Sequence, residues 1–313
     1  MKPQNYESLD QKIRQEFLSI RDKIDTNQKL KLSWSNWEFG MEDLEVSLKR
    51  LSSNGVKYIE LFGNLFGQDL GYNSKKVNNL LGEYGMQVSG VCGIFSTDNE
   101  MASTVPSVRQ RAIDYIKRTV EFAGEVGATY FLVVPGAVGR SVKYDDFEFE
   151  RSVDTLKKAA DVFTKYGVKG AVEPIRADEV SFCYTFGDAK KYIDAVGHEG
   201  VQHINADVYH MLHQEDHIGQ ALLDYKDYVI NIHLADTNRK ALGSGMLDLD
   251  VFIMALYITG YNTKKAFCSP EPLGPGADPY QQMNGPNDPA MLDRLVADTV
   301  KYFKEREEEV LNQ

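Results

Sequence analysis

The feature that most limits what this chain can fold into is a repeated change of hydrophobic period. Short runs rich in β-branched and aromatic residues alternate with longer stretches whose apolar residues recur every three or four positions. The runs are 29–34, 56–61, 87–92, 129–134, 168–172, 201–206, 228–232 and 265–268, eight in all. The longer stretches are 42–53, 74–84, 107–126, 146–166, 188–196, 218–223, 248–257 and 289–311. Strands alternating with amphipathic helices imply βαβ units and a parallel sheet. Several helix candidates run into a glycine just before the next strand, at Gly55, Gly85, Gly127 and Gly167. A glycine there suits the left-handed residue that closes a helix. Eight such units predict an α/β fold, a (β/α)8 TIM barrel, with an open doubly wound sheet as the alternative topology.

Two segments stand outside the alternation. In 1–28, Leu9, Ile13, Phe17, Ile20 and Ile24 recur at helical spacing. They predict an N-terminal helical extension, with residues 29–313 forming the catalytic barrel. The expected place of this helix is across the barrel floor, or else against another subunit. The second segment is the Gly/Pro-rich stretch 272–289. A loop of that length in a compact barrel is usually functional, and it follows the last strand, which makes it a candidate lid.

A chain of 313 residues is ordinary for one barrel and needs no disulfide staples. Its formal net charge of −11 opposes nucleic acid and anionic lipid, attracts a divalent cation and is indifferent to a neutral polyol. The three cysteines, Cys92, Cys183 and Cys268, lie in or beside apolar runs and form no CxxC pattern. They read as reduced structural thiols. The N-terminal residues lack the apolar core of a signal peptide, and no apolar run approaches the ~20 residues of a membrane span. A soluble, cytoplasmic protein is expected.

In a barrel, chemistry gathers at the carboxyl ends of the strands. Four consecutive strand candidates each end in one metal-capable side chain: Glu173, Asp207, His233 and Glu271. Buried carboxylates facing one another repel unless a cation lies among them. Three carboxylates and one imidazole make an oxygen-rich set suited to one divalent ion, Mn2+ above all, with Mg2+ or Co2+ as alternatives. Such an ion polarises a carbonyl and acidifies the neighbouring C–H. Glu173 and Glu271 are then the acid/base pair, one removing a proton and the other delivering one. Trp34 and Trp37, at the end of the first strand candidate, and Phe62 and Phe66, after the second, could form an apolar wall for a bound substrate, with ordinary rim packing as the alternative. His198, His203, His213 and His217 read as structural or surface residues. The Gly136–Gly139–Arg140 loop is a weak phosphate signal, and an ordinary loop is the simpler reading.

On these residues the sequence resembles the sugar isomerase/epimerase branch of the xylose-isomerase-like barrels, in particular the ketose 3-epimerases. The resemblance spans 29–310 and implies the same metal set. It further implies that Glu179, His210 and Arg239 bind substrate, and Gly243-Ser-Gly245-Met-Leu-Asp248 resembles the family's GxGxxD turn. The implied reaction is isomerisation or 3-epimerisation of a keto-sugar through a cis-enediolate, in a homo-oligomer. Glu173-Pro-Ile-Arg176 departs from the family's usual loop, which leaves a lyase reading open. That reading is an inosose dehydratase, or a C-glycoside deglycosidase α subunit docked to a small partner subunit. A repair endonuclease is opposed by the charge and by the absence of histidines on the early strands. A non-catalytic sugar-binding subunit would have no need of both Glu173 and Glu271.

Overall fold

The computed structural model describes residues 4–63, 72–273 and 288–313. Seven parallel strands follow one another in chain order around one sheet. They are β1 Tyr58–Phe62, β2 Gln87–Cys92, β3 Tyr130–Val133, β4 Lys169–Val172, β5 Val201–Asp207, β6 Val229–Leu234 and β7 Phe267–Pro270. The first strand candidate, 29–34, is not a regular strand. It closes the barrel through single bridges on either side, Leu32 with Cys268 and Ser35 with Glu60. Ser33 N–H donates to Cys268 O at 2.7 Å, and Glu60 N–H donates to Trp34 O at 2.8 Å. Directly afterwards the chain enters a 3-10 turn, Asn36–Phe39, so this stave keeps too few consecutive pairs for a ladder.

Outside the barrel lie α1 Gln4–Ile20, α2 Leu44–Ser53, α3 Ser74–Tyr84, α4 Pro106–Glu125, α5 Glu148–Lys157, α6 Asp161–Tyr166, α7 Phe186–Val196, α8 Val208–Gln214, α9 Ile218–Asp224, α10 Leu249–Ile258 and α11 Pro289–Asn312. Their starts follow side-chain chemistry. Asp43, Asn73, Asp248 and Asp288 each accept backbone N–H groups of the first turn, and Thr185 with Asp188 forms a capping box. The helix expected over 146–166 is interrupted at 158–160 and forms α5 and α6. The short α8 was not expected. It begins where Asp207 accepts Tyr209 N–H at 2.8 Å.

The N-terminal helix lies along the helical layer, against α9 and α10, instead of crossing the barrel floor. The reason is in the sequence of α10, LDVFIMALYI, whose one charged residue is Asp250 and which must be covered on more than one side. The helices α9 and α11 pack against it, and Ile13 and Phe17 of α1, both fully buried, add to the cover. Asp10 pairs with His217 at 3.0 Å and Arg14 with Asp248 at 2.8 Å, which fixes the helix lengthwise. Of the Gly/Pro-rich stretch 272–289, residues 274–287 lie outside the described residues, as does Phe66.

Candidate active site

The strand ends converge as the barrel requires. Glu173 follows β4, Asp207 ends β5, His233 lies in β6 and Glu271 follows β7. Asp207 pairs in register with His233, and all four side chains are buried. His233 Nδ1 is the meeting point, 3.3 Å from Glu173 Oε1 and 3.1 Å from Glu271 Oε2. Ligand atoms of Glu173, Asp207 and His233 lie within 4.8 Å of one another; Glu60, His233 and Glu271 form a second such group. Asp207 Oδ2 is buried and has no hydrogen-bond partner among the described residues. A carboxylate oxygen whose one near neighbour is His210 Nε2, outside hydrogen-bonding geometry, beside two more carboxylates is the donor set a hard divalent cation needs.

The electrostatics show the strain of this crowding. Burial pushes the Glu271 carboxyl well above its ordinary range. Asp207 and Glu173 add to that, while His233 and Arg239 oppose it. Burial alone would lower His233, yet Glu271 and Glu60 outweigh it and hold the ring well above the ordinary histidine range. Burial would raise Asp207, but His210, Arg239 and His233 together bring it down. The crowded carboxylates thus favour positive charge on the His233 ring.

The remaining expected residues divide. Glu179, His210, Arg239 and Trp37 line the same cavity as the four strand-end groups. Trp37 Nε1 donates to Glu271 Oε2 at 2.5 Å. His210 Nε2 lies 3.1 Å from Asp207 Oδ2, and its Nδ1 has no partner among the described residues. Arg239 is buried, with Nε and Nη1 free of hydrogen bonds among the described residues; Nη1 lies 3.5 Å from Glu179 Oε1. Its backbone is left-handed, φ 57°, a strained conformation for a non-glycine residue. Asp236 imposes it by accepting from Gly243 N–H at 2.8 Å and Leu247 N–H at 3.1 Å, which ties the loop back on itself. Trp34 is a correction. It is fully buried, donates to Glu38 and stacks near Phe39, so its ring faces the packing behind the 3-10 turn and not the cavity.

Other expectations resolve by contact. His217 pairs with Asp10, and His198 approaches Asp161. Burial and Lys169 lower His203 to about 4, so it is neutral. Arg140 is bound to Glu100 and Glu148, so no free cation awaits a phosphate in that loop. All three cysteines are free and buried. No described helix is long and apolar enough to cross a membrane.

Sequence reasoning passed over Glu60. It sits in the middle of β1, in the run Tyr-Ile-Glu-Leu-Phe, fully buried. Both its oxygens lie against His233 Nε2, at 2.9 and 3.1 Å. Asn205 and Asn231, also inside strands, were missed for the same reason. Asn205 donates to Glu173 Oε1 at 2.8 Å, and Asn231 donates to Asn205 Oδ1 at 2.8 Å. The available signal was a polar residue interrupting an apolar strand, which in a closed barrel must face the lumen or break the core.

Residues 48–283 match the family described as xylose isomerase-like TIM barrel. The chain belongs to that family. A 3-dehydro-D-guloside 4-epimerase of Escherichia coli (strain K12) is 28% identical over 241 residues, covering 74% of this chain and 89% of that enzyme. A ketose 3-epimerase of Arthrobacter globiformis is 23% identical over 238 residues, covering 75% of this chain and 80% of its own. Among solved structures, an L-ribulose 3-epimerase superposes with a TM-score of 0.77 at 16% identity, over 91% of this chain and 96% of that one. The IOLI protein, solved with a bound zinc atom, superposes at 0.65 with 17% identity, over 90% of this chain and 98% of its own. Both of these curated relatives are sugar epimerases by name.

Proposed function

We propose that this chain is a divalent-metal-dependent epimerase or isomerase of a keto-sugar, with Glu173 and Glu271 as its acid/base pair. The observation that carries the reading is the convergence of two carboxylates, from strand ends three staves apart, on the one nitrogen of His233. The epimerase relatives agree with it. Glu173, Asp207, His233 and Glu271 would hold the metal, Mn2+ being best suited to the donor set. Bound there, it supplies a Lewis acid for the carbonyl oxygen and the adjoining hydroxyl oxygen.

The chain's own residues do the rest. Asn205 pins Glu173 from one side, and Trp37 pins Glu271, so each carboxylate presents a fixed oxygen. One carboxylate takes the proton from the carbon beside the carbonyl, and the electron pair moves into the enediolate. The other returns a proton to the opposite face, which inverts the centre. Arg239 and His210, both buried, and the half-buried Glu179 offer polar atoms to the sugar's hydroxyls. Burial keeps bulk water from quenching the intermediate.

The far wall of the cavity favours a second reading. Ile94, Phe95, Leu132, Val134 and Val138 line it, an apolar surface able to take an aglycone. A lyase acting on a 3-oxo-glycoside would use the same carboxylates but expel a substituent. Incubation of Mn2+-loaded protein in deuterated water with free ketoses and 3-oxo-glycosides separates the two. Solvent deuterium at an inverted carbon is the result expected, with loss of about 10^2-fold or more in rate for Glu173→Gln or Glu271→Gln. Aglycone release without exchange points to the lyase. Full activity after chelation refutes both.

A further inference from the structure

We propose that Glu60 is a positioning residue: it grips His233 through Nε2 so that Nδ1 is the nitrogen offered to Glu173, Glu271 and the cation among them. This rests on reading the strand-end cluster as a divalent-metal site.

The two edges of the imidazole face different surroundings. Nδ1 looks toward the strand-end carboxylates, and Nε2 looks toward Glu60. Glu60 could in principle be a ligand itself, since its oxygens fall in the second potential group with His233 and Glu271. Its hydrogen bonds argue otherwise. Oε1 accepts from Ser35 Oγ at 2.5 Å and Oε2 from Tyr130 Oη at 2.6 Å. Asn231 Nδ2 approaches Oε2 at 3.3 Å, and His233 Nε2 lies on both oxygens. A carboxylate offers about four lone-pair directions, and these donors use them. The donors come from the first stave, β3 and β6, so the carboxylate is braced from across the lumen. It is a fixed acceptor, and a fixed acceptor dictates that the ring nitrogen facing it carries the hydrogen. With Nε2 protonated, the neutral ring keeps its lone pair on Nδ1. Partners of this kind, placed behind a metal-bound histidine, set its tautomer and orientation.

Glutamine at 60 keeps the size but sets an amide N–H against donors that need an acceptor. Its amide can turn toward His233 and oblige Nε2 to accept, which moves the hydrogen to Nδ1. Isothermal titration of the full-length, chelator-stripped protein with Mn2+ reads the consequence. Glu60→Gln is expected to bind about 10–100-fold more weakly than the natural chain. Tyr130→Phe, which removes one brace without touching His233, is expected to fall between them. A second measurement needs no variant. In the Zn2+-loaded natural protein, ring 15N–1H correlation spectra are expected to show His233 protonated at Nε2 and unprotonated at Nδ1. Glu60→Gln affinity within about two-fold of the natural chain, or a hydrogen on Nδ1 of the loaded ring, overturns the proposal. A natural chain that binds neither ion overturns the metal-site reading beneath it, a separately recognisable result.

Discussion

Replacing Gly90 with alanine would place a methyl group inside a ring. Gly90 pairs with Glu60 on β1 and with Tyr130 on β3, so the three share one layer of the barrel. A Cβ built at Gly90 would lie 2.2 Å from Tyr130 Cζ, and 2.3 and 2.5 Å from Cε2 and Cε1. Carbon atoms in contact sit about 3.5 Å or more apart, so the ring must retreat by more than about 1 Å. Tyr130 is fully buried, and its hydroxyl reaches Glu60 Oε2 at 2.6 Å. A retreat of that size breaks the bond. Overpacking costs about 1–3 kcal/mol, and a lost hydrogen bond to a buried charge about 1.5–3 kcal/mol. Together Gly90→Ala should cost about 3–5 kcal/mol, a large share of an ordinary protein's stability. Urea unfolding in the presence of chelator measures it without contribution from metal. Gly90→Ala combined with Tyr130→Leu removes the ring that is struck. The pair should therefore cost clearly less than the sum of the two single changes. A Gly90→Ala loss under about 1 kcal/mol, or simple additivity in the cycle, would refute the argument that this glycine exists to admit the tyrosine.

Two further outcomes follow from features away from the site. His203 is lowered to about 4 by burial and by Lys169, against 6.5 when unfolded, so unfolding takes up a proton between these values. Stability should therefore fall as pH drops through that window, by about 1 kcal/mol between pH 7 and 5 after allowing for the ring's partial exposure. His203→Gln should flatten the slope in pH-dependent urea melts, and an unchanged slope would assign it elsewhere. Ile13 is fully buried between α1 and the barrel's outer helices. Ile13→Ala should cost about 2–4 kcal/mol in thermal or urea unfolding, and a cost under about 0.5 kcal/mol would mean that α1 is loosely held.

Much of the barrel was readable because its strands are buried on both faces and so stand out as continuous apolar runs. The strand-end ligand candidates were readable for the same reason, as polar residues terminating such runs. What escaped depends on register. Glu60, Asn205 and Asn231 lie within strands, and only pairing across the sheet shows that they point at one another. Trp34 and Trp37 are three residues apart, and the 3-10 turn that begins at Asn36 and includes Trp37 sends one to the core and the other to the cavity. The first stave looked like its neighbours in composition, but its ladder is cut short by that turn. The place of α1 could have been argued from α10, whose sequence has a single charged residue, Asp250.

The N-terminal helix has a consequence for the order of assembly. Its partners lie 207 and 234 residues away along the chain, at His217 and Asp248. The first stave likewise waits for Cys268 and Pro270. During synthesis α1 thus emerges long before its partners, and Ile13 and Phe17 remain uncovered until those partners have followed. The interval between emergence and docking is when this protein is most exposed to chaperones, proteases and its own neighbours on the polysome.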